Sequence, residues 1–89
     1  MADKVAACVR DVIAIAGGAG TVEERCGKAE QLIGRLLQDA AVQTGGSSHG
    51  AAQDLRDRLG TALNAEHDHG AREVLDKVID YLREKIGLA

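Results

Sequence analysis

Apolar residues recur along most of this chain every three or four positions, the period of a helix with one buried face. Val5, Cys8, Val9, Val12, Ile15 and Ala16 form the first such stripe, behind Asp3 as a candidate N-cap. Gly17, Gly18, Ala19 and Gly20 interrupt it with four small residues that leave the backbone free to turn. Thr21 with Glu24 three residues later is a capping box, so a second helix starts there. Its stripe of Val22, Cys26, Ala29, Ile33, Leu36 and Ala40 alternates steps of four and three, the seam of a coiled coil, and Leu32 and Leu37 widen it. That width predicts contact with more than one neighbouring helix and makes the second helix the expected centre of the architecture.

The run from Thr44 to Gly50 reads as a flexible loop, with Ser47 or Ser48 as the next cap. Ala52, Leu55, Leu59 and Ala62, with Leu63 beside them, then form a third stripe. Glu66 to Gly70 makes a turn with Asp68 as candidate cap. The fourth helix carries Ala71, Val74, Leu75, Val78, Ile79, Leu82 and Ile86 inward and stops at Gly87, where Leu88 can fold back onto Leu82. The expectation is an all-α, antiparallel four-helix bundle with helices at about 3–16, 21–43, 51–64 and 70–86, forming one domain over 1–89.

Composition sharpens this picture. With 89 residues the chain has room for one core only. Tyr81 is the sole aromatic residue and proline is absent, so burial rests on Leu, Ile, Val and Ala. A core that thin gives modest stability, and dimerisation is a way to complete it. The net charge of −3 is mild and the two signs are interspersed, with no basic stripe and no aromatic platform, which argues against nucleic acid as a partner. Arg10 and Asp11 break the apolar stretch from Val5 to Ala16, leaving neither a signal peptide nor a span, so the reading is a cytoplasmic protein with no membrane partner.

Three features could carry chemistry. Cys8 and Cys26 are too few for a zinc site or a disulfide framework. A hairpin folded about 17–20 places them about three residues, roughly 4.5 Å, apart in height, so a bridge is geometrically open; reduced core thiols are the plainer reading. His67, Asp68 and His69 put metal-ligand types in one turn, next to Glu66, whereas His49 falls at the far end of helix three, about 20 Å away in a simple bundle. Ser47, Ser48 and His49 adjoin one another, but nothing supplies the buried carboxylate and oxyanion pocket that a nucleophilic triad needs.

What the sequence has in surplus is apolar helical surface, chiefly on the second helix. Gly20, Gly27, Gly34 and Ala41 recur every seven residues along it, a line where a partner helix could approach closely. Arg25, Lys28 and Arg35 could make charged contacts at the rim. The functional expectation is therefore a non-enzymatic interaction or assembly module, homodimeric through helix two at Arg25, Gly27, Lys28, Gly34, Arg35 and Ala41, with no cofactor. A metal- or ligand-binding bundle using His67, Asp68 and His69 is the rival. An adaptor or inhibitor of another macromolecule differs from the first reading only in its partner.

Overall fold

The computed structural model describes residues 3–43 and 45–86. Four helices pack against one another: α1 Lys4–Ala16, α2 Val22–Gln38, α3 His49–Ala65 and α4 His69–Ile86, with a 3₁₀ turn at Ala40–Val42. The helix starts follow the cap chemistry. Asp3 Oδ1 accepts the Ala6 N–H at 3.1 Å, and Asp68 Oδ2 accepts the Ala71 N–H at 2.9 Å. Thr21 Oγ1 accepts the Glu24 N–H at 3.1 Å while Glu24 Oε1 accepts the Thr21 N–H at 3.5 Å, closing the expected box.

Two boundaries differ from the sequence reading. Helix α2 ends at Gln38 and not near 43, so α4, at 18 residues, is the longest helix. The cause is Asp39, whose backbone is extended and whose carboxylate accepts the Ala41 N–H at 2.9 Å, a local bond that competes with helix continuation. Helix α3 begins two residues earlier than expected, at His49, with Ser47 Oγ accepting the His49 N–H at 3.2 Å. The expected stop at Gly87, the return of Leu88 and the start of the loop at Thr44 lie outside the described residues.

Packing gives the central place that the sequence reading assigned to α2 to the pair α1 and α4 instead. Helix α2 packs on α1 and α4, α3 packs on α4 and α1, and α1 and α4 also pack on each other, so each of these two touches all three of the others. Accordingly α4 buries Ala71, Val74, Leu75, Val78, Ile79 and Leu82, whereas α2 buries Cys26, Ala29, Ile33 and Leu36. Helix directions alternate along the chain. Lys4 of α1 pairs with Asp39 just beyond α2, and Arg25 near the start of α2 reaches the carbonyl of Ala16 at the end of α1. The Arg25 guanidinium also lies beside Gly70, so α4 starts where α2 starts and runs parallel to it. The connection from α2 to α3 therefore crosses the opposite end of the bundle. Gly45 and Gly46 turn it there with φ of +61° and +80°, a region that suits glycine.

Candidate functional site

On α2 the heptad spacing sets two lines, Gly27 with Gly34 and Lys28 with Arg35, about 100° apart around the helix. Gly27, Lys28 and Arg35 are exposed and Gly34 is half-exposed. A Cβ placed on either glycine would meet nothing within 4 Å, so no helix of this chain uses that line for close approach. Ala41 is exposed but lies in the 3₁₀ turn, beyond the end of the helix. Arg25 is different again. Its Nη1 donates to Ala16 O at 2.7 Å and its Nε to Thr21 O at 3.4 Å, so it closes the α1–α2 turn instead of standing at an outer rim.

Beside the basic line, α1 and α2 enclose a shallow groove of about 250 Å³ lined by Lys4, Ala7, Cys8, Asp11, Leu32, Arg35, Leu36 and Asp39. Its floor is apolar: Cys8 and Leu36 are buried, Leu32 and Ala7 partly so. At one end Lys4 donates to Asp39, and together with the Ala41 N–H this holds the Asp39 carboxyl below the usual carboxylate range. Asp11 on one wall and Arg35 on the other have no ion pair among the described residues. The α1 half of this groove was not legible in the sequence. Ala7 and Asp11 share the four-residue step of Leu32 and Leu36, but only the pairing of the two helices shows that these steps face each other.

The same pairing removes the disulfide. Lys4 stands opposite Asp39, so Cys8 faces Arg35 and Cys26 faces Gly17, nine residues or roughly 13 Å away in height. Both thiols are free and buried. Burial pushes each thiol's pKa upward, helped by Asp11 at Cys8 and by Glu30 at Cys26, which lowers the thiolate fraction and with it nucleophilicity.

In the His67 turn the acids are occupied in holding backbone. Glu66 Oε1 accepts the N–H groups of His67 and Asp68 at 3.1 and 3.0 Å, and Asp68 caps α4. Arg72 Nη1 donates to Leu63 O at 3.0 Å and Glu66 O at 2.8 Å. His67 and His69 are exposed. Among the described residues no three His, Cys, Asp or Glu side chains are grouped to hold a metal ion. His49 starts α3, a helix length of roughly 25 Å from that turn, and its N–H is held by Ser47. The α3–α4 side carries grooves of mainly polar wall, one lined by Arg56, Asp57, Asp76, Asp80 and Arg83 among others, the next by His69, Arg72, Glu73 and Asp76 with Leu63.

Among the described residues no helix is long and apolar enough to cross a membrane. Compared with protein-family models, with characterised proteins and with solved structures, the chain shows no significant match.

Proposed function

We propose that this chain is a non-enzymatic assembly module that forms a homodimer through the outer surface of α2. The observation that carries the reading is the α1–α2 groove: its floor is apolar, in contrast with the polar grooves along α3 and α4. An apolar concavity rimmed by exposed charge is a surface that proteins use to meet other proteins. The open glycine line beside it adds a second patch without side chains in the way. The chemistry in the rest of the chain is quiet, with thiols of raised pKa and histidine-turn acids engaged with backbone.

Sedimentation equilibrium from about 5 to about 500 µM tests the reading, a range in which a weak dimer dissociates. The expected result is a mass that rises with concentration toward twice the monomer. A constant monomer mass across the range sinks it.

A further inference from the structure

We propose that a second copy of this chain docks into the α1–α2 groove about a two-fold axis, with Asp11 of each copy meeting Arg35 of the other. The proposal rests on the assembly reading and names the surface and the pairing that assembly uses.

The groove's rim supplies the argument. Lys4 and Arg35 balance Asp11 and Asp39, so this face is neutral although the whole chain carries −3. A nucleic acid or a strongly charged protein would be met by a rim of one sign, which is not what lines this groove. A neutral rim with both signs on opposite walls suits a copy of itself. Lys4 and Asp39 already satisfy each other at one end. The unsatisfied charges are Asp11 on α1 and Arg35 on α2, both exposed and both without an ion pair among the described residues.

Their placement fits two-fold symmetry. Asp11 stands opposite Leu32, three residues from Arg35, or roughly 4.5 Å along the helices, so the two charges lie diagonally across the groove. A two-fold axis lying in the plane of the floor, midway between the two charges and close to the helix direction, sets α1 of each copy over α2 of the other. It lays each copy's Asp11 over the other's Arg35, so both charges are paired at once and the assembly closes at two. The Leu32, Cys8 and Ala7 floors of the two copies then cover each other. Because the groove is shallow, the contact belongs with the small interfaces of transient assemblies, and a concentration-dependent dimer is the expected behaviour. At such a contact the charge pairs decide the choice of partner and its orientation more than raw affinity does.

Charge reversal on the intact chain tests this. Asp11→Arg and Arg35→Glu are each made alone; circular dichroism checks that both remain helical, which their exposure leads one to expect. Each variant alone places like charges across the groove and is expected to self-associate at least tenfold more weakly than the wild type. Mixed in equal amounts, the two variants set the introduced arginine of one against the introduced glutamate of the other, and the native Arg35 of the first against the native Asp11 of the second. A heterodimer of wild-type strength is therefore expected by sedimentation. The double variant Asp11→Arg/Arg35→Glu is expected to recover self-association to within about threefold. If the wild type dimerises and the single variants dimerise as well, or the mixture and double variant stay as weak as the singles, this docking is wrong while the assembly reading stands. A wild type that remains monomeric throughout overturns both.

Discussion

The two helical hairpins of this bundle close with the same device and differ in where they place their apolar residues. In each, a capping side chain is followed four residues later by an arginine that reaches back to carbonyls ending the previous helix. Thr21 and Arg25 do this for the α1–α2 turn, with Ala16 O as acceptor; Asp68 and Arg72 do it for the α3–α4 turn, with Leu63 O and Glu66 O as acceptors. These bonds satisfy helix-end carbonyls that would otherwise depend on water. The interiors diverge. Helices α3 and α4 bury large side chains completely, among them Leu55, Leu59, Leu75 and Leu82, and keep polar groove walls outside. Helices α1 and α2 bury mostly smaller residues, Val5, Cys8, Val12, Ala16, Cys26 and Ala29 beside Ile33 and Leu36, and leave Leu32 half-exposed in an apolar-floored groove. One hairpin supplies most of the large, fully buried side chains; the other retains apolar surface that a partner could cover.

Removing core volume from each hairpin should have the largest effect. Leu59→Ala or Leu75→Ala, at fully buried sites, should cost about 2 to 5 kcal/mol in urea unfolding, and Leu36→Ala, the same truncation at the less completely buried leucine of α2, should fall at the low end of that range. Equal losses from all three would refute the asymmetry. Next come the turn arginines. Arg25→Ala should destabilise by about 1 kcal/mol, and Arg72→Ala, which is exposed, by no more than that. A neutral Arg25 variant would mean that water replaces the guanidinium at Ala16 O at no cost.

Glycine substitutions separate fold from assembly. Gly34→Ala and, as a control on the other hairpin, Gly60→Ala each add a methyl group into open space and should stabilise the monomer by about 0.5 to 1 kcal/mol. Thermal melts of the dilute protein check this; a loss at Gly34 alone would show that the glycine line is needed within the chain. The smallest effect concerns the charged end of α1. Asp3 titrates below its ordinary value of 3.8 because of the Ala6 N–H and then Arg58, and Asp39 does so chiefly because of Lys4. A lowered folded pKa means that the stability from these carboxylates is complete above about pH 4 and is lost as pH falls through the folded values. Asp39→Asn should flatten the pH dependence of the thermal midpoint below about pH 4, and an unchanged slope would show that the Lys4 pair contributes nothing there.

The helices were legible along the chain because their signals are local. An aspartate or threonine oxygen reaches an N–H three residues away, and apolar residues at helical spacing have one face to bury. The stripes read in α1, α3 and α4 became core at Val12, Leu55, Leu59, Val74 and Leu82. The end of α2 at Gln38 was harder to see, since Ala40 continued the apolar period while Asp39 broke the backbone beneath it. Arg25 was read as an outer contact for a related reason: nothing near it in sequence shows that the chain turns back and presents the Ala16 carbonyl. Which helices are neighbours, that α1 and α4 each pack on all the others, that Cys8 and Cys26 stand too far apart in height to bridge, and that Asp11 shares a groove with Arg35 emerge only from the folded arrangement. Periodicity fixes the face a helix buries; the register and position of its neighbours depend on how all four helices fill one volume, which no single stripe contains.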